Sequence, residues 1–282
     1  MEKEALAYLS DQWRTDRFDC FVSARRELDD AHAAPPERFT ALVVGQLLSE
    51  LPEAEHLTSR IARTLALAVA GADRVHFFHE TSRLPPDADC TAVAYLLLLR
   101  TGQVAEQEAH RALDLIAQTT NADGIVATYF DPSGERANIV DAVVCANVVR
   151  LALRLGRLRD VRATARYLRQ LVSATDYLSG SRYYPSPDCL LYALSLGEPF
   201  AELRTAVASR IGATDHVLDL AQRVLAARRL GVPDELDRER LVARRLPDGS
   251  WPAEGWFCYG RSRQWFGSSA LSTAFAIAAL GQ

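Results

Sequence analysis

Asp87 and Asp89 stand two residues apart where an apolar run begins, in Pro86-Asp87-Ala88-Asp89-Cys90-Thr91-Ala92. Carboxylates packed so closely that both cannot ionise hold a proton near neutrality. The same spacing also suits a helix start, with Asp87 as the N-cap and Asp89 favoured by the helix dipole. The residue types leave both readings open. A second polar set, Asn138, Asp141 and Cys145, falls at i, i+3 and i+7, one face of a helix. Aromatic residues form a third group. Trp251, Trp256, Phe257, Tyr259, Trp265 and Phe266 lie close together, and Tyr129-Phe130 and Tyr183-Tyr184 fall in comparable segments between apolar runs.

Composition narrows the chemistry. The chain has 282 residues, 32 basic and 36 acidic, with a net charge of -4. That balance argues against a nucleic-acid partner, which calls for a basic face. Lys3 is the only lysine, so a phosphate-binding loop lysine, a Schiff-base lysine and a buried lysine base are all excluded. The five cysteines, Cys20, Cys90, Cys145, Cys189 and Cys258, form no CxxC pair. They fit neither a secreted disulfide framework nor a standard zinc finger, and are read as thiols of a reducing, cytoplasmic compartment. The first residues carry no apolar signal core, and no run reaches the roughly 18 apolar residues of a membrane span.

These groups must be positioned by helices. Phe39, Leu42, Val43 and Leu47 make an apolar stripe of helical period. So do Leu57, Ile61 and Leu65; Ala109, Leu113 and Ile116; Val161, Ala165, Leu168 and Val172; Val217, Leu220, Ala221 and Val224; and Leu271, Ala274, Phe275 and Ala278. Prolines fall between the stripes, and no linker is evident. Apolar runs stop at Gly102, Gly156, Gly197, Gly231 and Gly281, where glycine suits the left-handed position past a helix end. About six helical hairpins closing into one α/α barrel over residues 1–282 would use the whole chain and leave a central cavity. Little or no sheet is expected, the best strand candidate being Gly124 to Phe130.

PDADCTAVAYLLLLR resembles the PDxDDTA signature and apolar helix of class II terpene cyclases. The likeness implies that Asp89, at the third position of that family's DxDD, is the general acid that protonates an alkene, with Asp87 supporting it. Cys90 stands where the family has its last aspartate. Residues i and i+2 of a regular helix point about 200° apart, so Asp87 and Asp89 share a site only if Asp87 is a non-helical cap. Leu246-Pro247-Asp248-Gly249-Ser250-Trp251 is similar to the DGSW end of the family's QW motif, which is structural. The family's chemistry also gives the aromatic residues a use, because ring faces stabilise a carbocation without reacting with it; the same rings would equally plug one end of a barrel.

The resemblance therefore implies proton-initiated, metal-free cyclisation of an isoprenoid, meroterpenoid or other polyene. Asp89 and Asp87 would be catalytic. Cys90, Asn138, Asp141, Tyr129, Tyr183, Trp256, Tyr259 and Trp265 would line the substrate site. No cofactor is expected, and Mg²⁺ would enter only with a diphosphate-bearing substrate. The expected partner is an apolar small molecule. Two other readings stay open. One is a non-catalytic barrel that binds a small molecule and leaves Asp89 as an exposed cap. The other is a zinc-dependent cyclase, because Trp256-Phe257-Cys258-Tyr259-Gly260 resembles the WCYG segment of lanthionine-synthetase cyclases, although the later Cys-His pair of zinc ligands has no counterpart here.

Overall fold

The computed structural model describes residues 2–131, 133, 135, 139–259 and 262–281. Six helices form a closed inner ring: α2 (Phe39–Leu48), α4 (Ala88–Arg100), α6 (Ala142–Arg154), α8 (Pro187–Ser195), α10 (Val217–Arg229) and α12 (Ser269–Leu280). Each packs on the next, and α12 packs back on α2. Outside them run α1 (Glu2–Gln12), α3 (Glu55–Val69), α5 (Glu106–Gln118), α7 (Arg162–Ser173), α9 (Ala201–Arg210) and α11 (Glu235–Ala243). The N-terminal α1 packs on α12 and so completes the outer layer. This is the α/α barrel expected from the stripes.

Helix position follows side-chain chemistry. An inner helix meets protein on every side, so α4 and α12 are buried almost all round. The outer helices α3, α5 and α7 bury only a stripe. Gly45 in α2 allows one close approach, since a Cβ there would come within 2.8 Å of Leu97 in α4. Of the five expected stop glycines, Gly102, Gly156 and Gly231 are left-handed. Each closes its inner helix with the paired backbone bonds of a Schellman motif, as in Gly102 N–H to Leu99 O and Gln103 N–H to Leu98 O. Gly197 and Gly281 are not left-handed, which corrects that part of the pattern.

The sheet is small, as expected, but it does not lie where the sequence placed its best strand candidate. Strands β1 (Phe21–Ser23), β2 (His32–Ala33), β3 (Gly255–Tyr259) and β4 (Gln264–Gly267) form an antiparallel sheet in the order β2-β1-β4-β3. The sheet joins a segment after α1 to the segment before α12, through pairs such as Val22 with Phe266. Gly124 to Phe130 is not a strand; it makes isolated bridges, Thr120 with Val126 and Asp87 with Tyr129.

The DGSW segment ties outer to inner layer. Asp248 accepts from the Ser250 N–H and hydroxyl, which fixes the turn. The fully buried Trp251 donates its indole N–H to Leu241 O in α11 at 2.8 Å. Its backbone N–H donates to the Thr273 hydroxyl in α12 at 3.0 Å. Among the described residues no helix is long and apolar enough to cross a membrane.

Candidate active site

The N-terminal ends of the inner helices share one face of the barrel, and the acidic motif lies there. Asp87 is the N-cap of α4, with extended backbone angles, and its Oδ1 accepts from the Cys90 N–H at 2.6 Å. Backbone bridges to Val75 on one side and Tyr129 on the other clamp it. The Ala88 N–H adds a bond to Thr128 O at 2.8 Å. The Thr91 hydroxyl donates to Asp87 O and accepts from the Val75 N–H. The non-helical cap that would let Asp87 and Asp89 share a site is therefore present.

Asp89 is 6 % exposed and Asp87 5 %. The side-chain amide of Asn147 in α6 donates to Asp89 Oδ1 at 2.7 Å. The Tyr184 hydroxyl, just before α8, donates to Asp89 Oδ2 at 2.5 Å. No cation pairs with either carboxyl among the described residues. Burial pushes the Asp87 carboxyl up to about 7, and the neighbouring Asp89 adds to the rise. Burial likewise raises Asp89, to about 6, while the Tyr184 and Asn147 donors pull it back down. Two carboxyls poised near neutrality in a shielded place are suited to hold a proton and release it to a weak base.

An internal comparison isolates the cause. Ser186-Pro187-Asp188-Cys189 opens α8 as Asp87-Ala88-Asp89-Cys90 opens α4, each with its N-cap two residues before a buried aspartate. Asp188 is as buried as Asp89. Yet it is bound by Arg223 at 2.7 Å and Arg210 at 3.0 Å, and Arg223 also grips Asp237 at 2.6 Å. Asp188 is a structural ion. Among the described residues Asp89 has only neutral donors.

Both motif carboxyls line a cleft of about 520 Å³, its open mouth included. The other lining groups are chiefly aromatic or apolar, among them Phe39, Phe77, Leu84, Val144, Phe257 and Phe266. Phe257 stacks on Phe266 at 5.4 Å, and the Phe77 and Phe39 rings meet Phe257 edge-on at 5.5 and 5.7 Å. The sheet supplies part of this wall.

Of the expected lining residues, Cys90, Tyr129, Tyr183 and Tyr259 reach the cleft. Tyr259, 40 % exposed, stands at its rim. Tyr129 and Tyr183 meet edge-on at 6.2 Å. Three do not line it. Asp141 is the N-cap of α6: its Oδ1 accepts from Val143 and Val144, and its Oδ2 from the Tyr183 N–H at 2.8 Å. It thus holds the loop that carries Tyr184. Trp256 sits one layer back, stacked on Phe39 at 5.9 Å and meeting Tyr184 edge-on. Trp265 faces the other side of β4 under the Arg26 guanidinium. Asn138 lies outside the described residues. Sequence reasoning missed Asn147, a lone amide in an otherwise apolar stretch of α6, and took Tyr183 where its neighbour Tyr184 makes the bond to Asp89. It also missed Phe39 and Phe77, which resemble ordinary core residues.

Comparison with known proteins agrees with this architecture. Residues 37–154 match the family described as the sesquiterpene cyclase astC-like C-terminal domain. The chain is 30% identical over 211 residues to the drimenol cyclase drtB of Aspergillus calidoustus, an alignment covering 71% of this chain and 39% of that protein. It thus spans less than half the length of that relative. The type II terpene cyclase MstE from Scytonema, in its apo structure, has the same fold with a TM-score of 0.74 at 15% identity, over 99% of this chain and 96% of that one. A protein from Actinoplanes superposes with a TM-score of 0.70 at 17% identity, over 99% and 98% of the two chains. In fold, and in the acidic motif at the ring's N-terminal face, the chain is similar to class II terpene cyclases.

Proposed function

We propose that residues 1–282 form one barrel that cyclises an isoprenoid-type polyene by proton transfer from Asp89. The observation that carries this is the setting of Asp89: buried, lining an aromatic cleft, hydrogen-bonded by two neutral donors and, among the described residues, unpaired with any cation. Protonating a carbon–carbon double bond demands an acid that is protonated yet has a stabilised conjugate base. Burial supplies the first condition; Tyr184 and Asn147 supply the second, because they donate to the carboxylate left behind.

In this reading Asp89 gives its proton to one carbon of the terminal alkene, and the other carbon becomes a tertiary cation. Internal double bonds attack in turn, each forming a carbon–carbon bond and passing the positive charge along the chain. Loss of a proton or capture of water ends the sequence, and Asp89 regains a proton from solvent. Phe77, Phe257 and Phe266 offer ring faces to the migrating charge. Asp87, kept neutral by its own burial, avoids placing a second negative charge beside the departing proton. Cys90, Tyr129, Tyr183 and Tyr259 shape the chain's path, while Asp141 acts by positioning the Tyr183-Tyr184 loop. The reaction needs no metal for its chemical steps.

The relatives support a prenyl substrate. One is named a drimenol cyclase. MstE has been solved with geranylgeranyl dihydroxybenzoate as substrate and with merosterolic acid A as product. The test is incubation with linear prenyl alcohols, prenyl diphosphates and prenylated hydroxybenzoates, with products read by mass spectrometry. Wild type should convert at least one of these to a cyclic product of unchanged mass or of mass increased by water, and Asp89→Asn none. Full turnover by Asp89→Asn would refute the assignment.

A further inference from the structure

Tyr184, the donor to Asp89, stands in a short closed loop. The Ser181 N–H donates to Tyr184 O at 2.8 Å, and the Cys258 N–H in β3 donates to Tyr183 O at 2.7 Å. Gly180 is left-handed, and a Cβ there would strike Pro185 O. The loop ends at Ser186, whose hydroxyl donates to Asp219 Oδ1 in α10 at 2.6 Å. Asp219 is buried, and Arg26, between β1 and β2, grips the same carboxylate through bonds of 2.9 and 2.5 Å. Arg26 is also fastened to the sheet. Its Nε donates to Gly255 O at 3.3 Å, its own carbonyl accepts from the Gly255 N–H at 2.7 Å, and its guanidinium lies over the Trp265 ring. Gly255 opens β3, whose Phe257 and Tyr259 line the acid-bearing cleft. One carboxylate thus receives both the loop that carries the acid's donor and the sheet that walls the cleft.

The ion cluster next to it works differently. Arg223 and Arg210 join Asp188 and Asp237 helix to helix, whereas the Arg26–Asp219 pair crosses from α10 to the sheet. A buried ion pair adds little net stability, because desolvating two charges offsets most of their attraction, but its bidentate geometry fixes a register. We infer that the Arg26–Asp219 pair is a positioning device for the acid: it locks the sheet wall and the Tyr184 loop to one point, and so holds the Tyr184 hydroxyl on Asp89. This rests on the proposed role of Asp89 and names what sets its donor in place. The line of contacts runs from Arg26 through Asp219, Ser186 and Pro185 to Tyr184. Pro185 has a fixed φ, so a displacement at Ser186 is carried to Tyr184. Small displacements matter, because the Tyr184–Asp89 bond is 2.5 Å long and a hydrogen bond weakens steeply when misaligned. Loss of the pair should loosen that bond, leave the conjugate base less stabilised and let Phe257 and Tyr259 shift against the substrate.

The Asp89 carboxyl is read without turnover by carbon-13 NMR of protein labelled at aspartate Cγ, its signal identified by its loss in Asp89→Asn. Tyr184→Phe sets the scale, and its titration midpoint should rise by about one pH unit. Arg26→Met and Ser186→Ala should each reproduce most of that rise, and neither should add to it in the Tyr184→Phe background. Ser186→Ala changes no charge, so its rise cannot come from a lost cation. Arg26→Lys should fall between Arg26→Met and wild type. Thr214→Ala removes another donor to Asp219, at 3.0 Å, whose remaining bonds run to Arg223; it should leave the midpoint in place. The titratable groups around Asp89, namely Asp87 and Cys90 on α4, Asp141 and Cys145 at α6 and Tyr184, are the same in all four of these single changes. In turnover Arg26→Met should lower kcat about tenfold and broaden the cyclic products, and Thr214→Ala should do neither. A midpoint unmoved in Tyr184→Phe, or unmoved in both Ser186→Ala and Arg26→Lys, overturns the proposal, as does an equal rise in Thr214→Ala. Should Arg26→Met fail to fold, Ser186→Ala and Arg26→Lys decide. Midpoints that move as expected in a protein whose wild type yields no cyclic product overturn the cyclase reading instead and leave the positioning role standing.

Discussion

Asp89→Asn should stabilise the protein at alkaline pH even as it removes the transferable proton. In an unfolded chain the carboxyl ionises at its ordinary 3.8; in the fold, burial moves it to about 6. Between those values the folded protein holds a proton that the unfolded chain has released, so wild-type stability falls as pH rises through this window. The loss is complete above about pH 7. At about 1.4 kcal/mol per pH unit it comes to about 3 kcal/mol. Asparagine escapes it. Its oxygen can still accept from Asn147, and its amide can donate to the Tyr184 hydroxyl, so the replacement leaves no buried polar atom stranded. The stability difference between variant and wild type should therefore move in the variant's favour by about 3 kcal/mol from pH 4 to pH 8, or roughly 6 °C in Tm for a chain of this size. Urea unfolding at both pH values measures it directly. A difference that is the same at pH 4 and pH 8 would refute the claim that Asp89 is held protonated by burial, and with it the physical basis for a general acid.

Tyr184→Phe removes one of the two donors to the conjugate base, so the Asp89 carboxyl should rise further. Turnover should fall about 10- to 100-fold, and the alkaline limb of the pH–rate profile should move upward; a merely structural role would leave that limb in place. Wild-type activity should itself decline as pH rises through 6 to 7, because the reactive form is protonated. Cys90→Asp places a third carboxyl in a buried position beside Asp87, and should destabilise the fold by about 2–3 kcal/mol at pH 8 and little at pH 4, read by thermal unfolding. Arg223→Met leaves Asp188 with Arg210 alone and takes the ion partner from Asp237. It should cost about 3–5 kcal/mol of stability in urea, a size of effect the solvent-exposed Arg14–Asp11 pair should not approach on removal.

Local physics settled much of this protein before any tertiary contact was known. Apolar stripes of period 3.6, prolines kept between them and glycines after them specify helices, because each signal acts within a few residues of chain. The left-handed turns at Gly102, Gly156 and Gly231 are local events of this kind. So is the cap at Asp87, with its bond to the Cys90 N–H. The sheet was not legible. β3 and β4 are short, and β3 is buried on both faces for four of its five residues, so they lack the alternation that marks a strand. They exist because β1, more than two hundred residues earlier, pairs with β4. Nor could sequence separate Asp89 from Asp188, which share a helix position and a following cysteine. What separates them is the company the barrel brings, Asn147 and Tyr184 in one case and Arg210 and Arg223 in the other. Helix formation is decided by neighbours in the chain. The protonation of a buried carboxyl is decided by neighbours in space, and only closure of the ring provides them.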